Sequence, residues 1–94
     1  MSVIDTAKEI IYGDREKTYG HPSKNLENIA DMWTIYLRGR GLLDPNGDAL
    51  TATDVCNTMI LLKVARLANQ PDHVDSIVDI VGYAALIERC KEQV

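Results

Sequence analysis

The sequence predicts an all-α protein, built as one four-helix, bundle-like domain over residues 1–94. Apolar residues recur at intervals of three and four in several stretches, which is the period of an amphipathic helix. No stretch alternates apolar and polar residues over a useful length, so no strand is expected. A chain of 94 residues has room for a single domain.

The first predicted helix spans residues 2–12. Ser2 and Asp5 resemble a capping box at its start, and Gly13 is suited to end it in a left-handed conformation. Residues 13–22 contain two glycines and a proline without an apolar period. We expect an ordered loop or a broken turn there.

The second predicted helix begins at Pro22, because proline fits the first turn, where its missing N–H costs nothing. It ends near Gly39 or Gly41. Its core candidates follow the helical period and are Leu26, Ile29, Ala30, Trp33, Tyr36 and Leu37. A turn signal, Asp-Pro-Asn-Gly-Asp, occupies residues 44–48 of the following segment.

The third predicted helix starts at the box-like pair Thr51 and Asp54 and runs to about Asn69. It is apolar on most sides around residues 59–68, which predicts the central helix. Its core candidates are Val55, Met59, Leu62 and Leu67.

A break at Pro71 and Asp72 precedes the last helix, which Asp72 is expected to cap. This helix is predicted to run to about Lys91. Its core candidates are Ile77, Ile80, Val81, Ala84 and Ile87.

Composition excludes several classes of protein. The net charge is −4 and the ten basic residues are scattered, which argues against a nucleic-acid-binding surface. Cys56 and Cys90 are far apart in apolar stretches and are expected to be reduced, partly buried thiols. Neither a signal peptide nor a membrane span is expected, so we predict a cytoplasmic protein. The small core expected of such a chain favours self-association.

Four charged residues of the last two helices form the strongest candidate site. Lys63 and Arg66 share one helical face, and Asp75 and Asp79 lie one turn apart on the next helix. The short connection between these helices makes them antiparallel neighbours. Asp79 interrupts an apolar run and therefore needs a partner, because burying a lone carboxylate is very costly.

Two interpretations of this cluster remain open on spacing alone. In one, Lys63 or Arg66 holds Asp79 in a buried ion-pair network that fixes the helix register, and Asp75 is only a residue of the helix start. In the other, Asp75 and Asp79 hold Mg²⁺ and the two cations hold phosphates.

Two segments resemble an uncharacterised phage and prophage family. One is DREKTYGHP at residues 14–22, followed by Asn25, Ile29, Ala30 and Trp33. The other joins LLKVARL at residues 61–67 with DSIVDIVGYA at residues 75–84. That family is itself similar to the MazG-like all-α nucleoside triphosphate pyrophosphohydrolases, which are Mg²⁺-dependent and generally dimeric or tetrameric. This chain has Lys63 and Arg66 where those enzymes usually carry two glutamates.

The resemblance implies a nucleotide-binding domain, extending to a Mg²⁺-dependent pyrophosphohydrolase in which Asp79 and Asp75 are the catalytic and metal-binding carboxylates. Lys63 and Arg66 would bind phosphate. Asn25 is placed to reach the site, whereas Tyr19 and His21 are candidates for a lid or base-stacking platform, or for a simple turn. Glu27 and Asp31 are expected to be solvated.

The alternative hypothesis is a catalytically inactive helical module that binds another protein, with the Lys/Arg–Asp cluster as an internal ion-pair network. The expected partners are a nucleotide or another phosphate-bearing small molecule and a second or further copies of the chain, as a homodimer or homotetramer. Neither nucleic acid nor a membrane is expected as a partner.

Overall fold

The computed structural model describes residues 2–4 and 22–91, and within them the predicted all-α class is confirmed. This part of the chain contains three long helices and no strand: α1 (Pro22–Gly39), α2 (Ala52–Asn69) and α3 (Val74–Lys91). Val3 and Ile4 are helical, but most of the first predicted helix lies outside the described residues. None of the described helices combines the length and hydropathy that crossing a bilayer requires.

The end of α1 depends on a glycine. Gly41 has a φ of 75°, a left-handed conformation that side-chain-bearing residues resist. The Leu42 N–H donates to the Leu37 carbonyl at 2.9 Å, and the Gly41 N–H donates to Arg38 at 3.0 Å. This double closure is a Schellman motif, which satisfies carbonyls that the helix end would otherwise leave unpaired.

Arg38 ties the following turn back to α1. Its Nη2 donates to the Gly47 carbonyl at 2.7 Å and its Nε to the Asp44 carbonyl at 3.3 Å. The Asn46 N–H donates to Asp44 Oδ1 at 2.9 Å, as expected for the predicted turn. One side chain therefore fixes the path of the connection.

Two threonines then set the position of α2. The buried Thr34 donates its hydroxyl to Ala30 and accepts from the Leu50 N–H at 3.0 Å, which joins α1 to the residues before α2. Thr51 accepts from the Asp54 N–H at 3.2 Å, while Asp54 Oδ2 accepts from the Thr51 N–H at 2.8 Å. The predicted capping box is thereby confirmed.

The predicted cap of the last helix is wrong. His73, not Asp72, lies directly before α3, and its Nδ1 accepts from the Ser76 N–H at 3.2 Å. Asp72 is one residue too early and lies exposed in the turn. The ring nitrogen of His73 thus accepts the capping hydrogen bond that was expected of the Asp72 carboxylate.

The core lies among the three helices, and α2 and α3 form the most extensive packing. Its buried apolar members are Leu26, Ala30, Ala52, Val55, Cys56, Val78 and Leu86. Several core predictions are confirmed there, but those for Tyr36 (64% exposed), Leu62 (49% exposed) and Ala84 (exposed) are wrong. The helical period alone cannot show which of two apolar faces of a helix is buried in the core.

Among the described helices α2 packs against both α1 and α3, as expected of a central helix. Most of its residues after position 60 are nevertheless exposed, whereas residues 76–83 of α3 are all at least partly covered. The apolar residues between positions 59 and 68 therefore form two faces of α2, one packed against the core and one exposed.

We expect Thr51→Ala to lower the free energy of unfolding by about 1 kcal/mol, because it removes the cap of α2. Urea denaturation would measure this loss. Thr58→Ala is the matched control, since Thr58 is exposed and bonds only within the helix. Equal losses for the two variants would contradict the capping role.

Candidate functional site

Lys63 of α2 and Asp79 of α3 meet in the structure. Lys63 Nζ lies 3.0 Å from Asp79 Oδ2. The contact follows from the short connection at residues 70–73, which brings the two helices together as antiparallel neighbours. The predicted proximity of this cation and this carboxylate is confirmed.

The ion pair lies at the edge of the surface rather than in the core. The Lys63 side chain is 16% exposed and the Asp79 side chain 39% exposed. The lysine stem is thus covered by its neighbours while the carboxylate stays open to solvent. Asp79 has the partner that its apolar surroundings demand, without the full cost of burial.

The other two members of the predicted cluster do not join this pair. Arg66 and Asp75 are both exposed, and neither forms an ion pair with another residue of the described chain. Asp75 lies in the first turn of α3, where a carboxylate is favoured by the helix dipole. Within the described residues the site is therefore a single ion pair, with Arg66 and Asp75 outside it, and not a four-residue network.

The carboxylates near the ion pair are few for a metal site. Among residues 2–4 and 22–91, no group of three or more His, Cys, Asp or Glu side chains is placed to hold a metal ion. Asp75 and Asp79 would offer two carboxylates, which is few for Mg²⁺ without oxygens from a ligand and water. The magnesium site stays a prediction.

The remaining predicted binding residues divide into two groups. Asn25 lies half-buried in the first turn of α1 and forms no hydrogen bond with Lys63 or Asp79. Tyr19 and His21 lie outside the described residues, so their roles stay predictions. Glu27 and Asp31 are exposed, as expected.

The mutual influence of two cysteines was missed by the sequence reasoning. Cys56, near the start of α2, is fully buried in the core, and Cys90, near the end of α3, packs against that core. Burial raises the pKa of Cys56 to about 11, and Cys90 adds to the rise. Burial and then Glu27 raise the pKa of Cys90. Chain distance gave no signal, since Cys56 lies 14 residues before the α2–α3 connection and Cys90 lies 17 residues after it.

A second unpredicted contact joins His73 and Ser76. His73 Nδ1 lies 2.7 Å from Ser76 Oγ, a geometry that nucleophilic sites also use. Ser76 is fully buried, however, and cannot reach a substrate. The pair therefore serves the start of α3, and the groove of about 340 Å³ along residues 70–73 does not expose the hydroxyl.

Comparison with known proteins places the chain in a family. Residues 2–91 match the domain of unknown function DUF6378, and the chain belongs to that family. It is 43% identical over 89 residues to the Gene 55 protein of Mycobacterium phage L5, covering 95% of the chain and 52% of that protein. It is 37% identical over 92 residues to the Gene 55 protein of Mycobacterium phage D29, covering 98% of the chain and 55% of that protein.

These relatives confirm the predicted phage-derived family. The chain spans about half the length of the curated relatives it matches. No solved structure matches it.

The buried thiol predicts a pH dependence of stability. Because the pKa of Cys56 is about 11 in the folded protein against an ordinary 9.0, its contribution is fully present below pH 9 and is lost as the pH rises toward 11. The free energy of unfolding should fall there by up to about 1.4 kcal/mol per pH unit on account of this group. Denaturation at stepped pH values measures the slope. An identical slope in Cys56→Ala would contradict the assignment.

Proposed function

We propose that the α2–α3 face carrying Lys63 and Asp79 binds a phosphate-bearing small molecule, with a nucleotide as the favoured class. The half-open ion pair is the observation that carries this: Nζ and Oδ2 are 3.0 Å apart, yet the carboxylate side chain is 39% exposed. An exposed carboxylate is well solvated, so its ion pair contributes little to stability and costs little to break. An open pair can exchange its partners.

A phosphate would take the place of Asp79 on Lys63. The covered stem of Lys63 holds its ammonium group in position, which lowers the entropy lost on binding. Arg66 lies three residues further along α2, is exposed, and has no ion-pair partner in the described chain. Its guanidinium can give a phosphate two parallel hydrogen bonds.

The resemblance to MazG-like enzymes supports a nucleotide as the ligand. It does not by itself supply the metal-binding residues that hydrolysis of the nucleotide would need. The resemblance would place Lys63 and Arg66 where those enzymes usually carry a glutamate pair, and the described residues provide no three-ligand metal group. The catalytic roles of Asp75 and Asp79, and magnesium itself, stay predictions. What these residues support is binding of phosphate groups.

We expect titration calorimetry to show binding of at least one nucleoside triphosphate at millimolar concentration or below. Lys63→Ala and Arg66→Ala should each weaken it by about tenfold, because each removes a charge-assisted hydrogen bond. Asp79→Asn should tighten binding of inorganic phosphate measured without metal, since it removes the competitor for Lys63.

Lys24→Ala is the matched control, because Lys24 is an exposed lysine of α1. If it weakened binding as much as Lys63→Ala, the effect would be one of overall charge. No binding by any nucleotide at millimolar concentration would overturn the proposed function. Pyrophosphate release, measured on the same panel, separates an enzyme from a binding protein.

Exposed apolar residues on α2 favour a second candidate, a helical interaction module that pairs with a copy of itself. Leu61 (67% exposed), Val64 (49% exposed), Ala65 and Ala68 are spaced as one helical stripe. This stripe lies opposite the buried face of α2, and contiguous exposed apolar side chains of this kind are typical of interaction surfaces.

A second copy suits the stripe because the stripe is complementary to itself. It has a large residue, Leu61, at one end and a small residue, Ala68, at the other. A two-fold axis through the middle would set each leucine against the alanine of the other chain, so both ends would be filled. The small residues also let two helices approach closely.

We therefore expect sedimentation equilibrium to show a dimer or tetramer that Leu61→Glu converts to monomer. The introduced carboxylate would be buried unpaired in the interface. Leu42→Glu is the control, since Leu42 is equally exposed (66%) but lies in the α1–α2 connection. A wild-type chain that is monomeric at all concentrations would contradict this candidate.

A further inference from the structure

We propose that His73 and Ser76 are positioning residues for the Lys63–Asp79 pair: their contact fixes the first turn of α3 and thereby holds Asp79 against Lys63. The effect on phosphate binding rests on the proposed function, because it concerns the ligand of that same site. The effect on the ion pair does not, because that contact belongs to the folded chain without any ligand.

A continuous path of hydrogen bonds joins the last turn of α2 to the first turn of α3. The Gln70 N–H donates to the Arg66 carbonyl at 3.0 Å, and the His73 N–H donates to the Gln70 carbonyl at 3.1 Å. The His73 carbonyl then accepts from the Ser76 N–H at 3.2 Å and from the Ile77 N–H at 3.3 Å. This path spans the whole connection, so the position of α3 relative to α2 depends on it.

The His73 ring supplies the side-chain link in this path. Its Nδ1 accepts from the Ser76 N–H at 3.2 Å and lies 2.7 Å from Ser76 Oγ. Ser76 is fully buried, and a buried hydroxyl is costly to leave without a partner, so the ring and the serine hold each other in place. The other bonds of the path join backbone groups, which makes the ring the link that a substitution can remove.

Helical spacing carries this order to the ion pair. Lys63 lies three residues before Arg66 on α2, and Asp79 lies three residues after Ser76 on α3. Because residues three apart are neighbours on one face of a helix, Asp79 follows the position in which Ser76 is held. The Asp79 side chain is 39% exposed, so the position of α3, rather than close packing around the carboxylate, keeps it on Lys63.

The consequence for a ligand is that His73 opposes phosphate binding. Asp79 competes with phosphate for Lys63, and a fixed first turn of α3 keeps that competitor in place. When the turn loosens, Asp79 spends less time on Lys63 and the ammonium group is more available to phosphate. His73 is half-buried and lines the groove at residues 70–73, outside the apolar core, so its ring can be replaced without opening a cavity there.

The test is a double-mutant cycle with Lys63→Met and Asp79→Asn, measured by urea unfolding and repeated in the His73→Ala chain. Without His73→Ala, the two substitutions should couple by about twofold in the unfolding equilibrium constant, the size typical of a partly exposed ion pair. His73→Ala should abolish this coupling. It should also lower the dissociation constant of inorganic phosphate, measured without metal, by about twofold.

His73→Asn should restore both values, because the asparagine side-chain oxygen can accept the same Ser76 N–H bond. Thr51→Ala is the matched control, since it removes a helix cap at the opposite end of α2 from the connection. It should lower stability about as much as His73→Ala and leave the coupling at about twofold. Should His73→Ala fail to fold, Ser76→Ala decides by the same criterion, because it removes only the hydroxyl contact.

Coupling that survives His73→Ala would overturn the proposal, as would its absence from the wild-type chain, its loss in Thr51→Ala or a failure of His73→Asn to restore it. In a chain that binds phosphate, an unchanged dissociation constant in His73→Ala would overturn it too. If the wild-type chain binds no phosphate, the proposed function fails, and the coupling alone decides the role of His73.

Discussion

The short connection at residues 70–73 is the constraint on which the described structure depends. It reverses the chain within a few residues, so α2 and α3 have to pack side by side in antiparallel directions. Lys63 lies seven residues before that connection and Asp79 six residues after it, and the two side chains meet at 3.0 Å. Cys56 lies 14 residues before the connection and Cys90 lies 17 residues after it, and both belong to the packed interior of the helix pair. The turn thus sets the ion pair of these two helices.

The sequence was most informative where a local signal decides the structure. Proline at position 22 and the Thr51–Asp54 box mark the starts of α1 and α2 correctly, because caps depend on residues a few positions apart. The exception is the start of α3. There His73 accepts the capping hydrogen bond expected of Asp72. Histidine is not among the residues that are preferred at helix N-caps, so the sequence did not indicate it.

Longer-range packing was less predictable, because α1 and α2 each carry more apolar surface than one buried face needs. Tyr36 follows the same period as buried Ala30 but is exposed, and Leu62 behaves likewise on α2. Period cannot show whether a second apolar face meets the core or another chain. The site shows the same limit: spacing predicted the Lys63–Asp79 contact, but it also allowed Arg66 as a partner of Asp79, and Arg66 is exposed and outside the pair.

The central claim is that this register places Lys63, and not Arg66, against a half-open Asp79. A double-mutant cycle with Lys63→Met and Asp79→Asn, measured by urea unfolding, tests it most directly. The account predicts a coupling free energy of about 0.5 kcal/mol that shrinks as salt is added, and none for Arg66→Met with Asp75→Asn. Zero coupling for the first pair, or equal coupling for both, would contradict it.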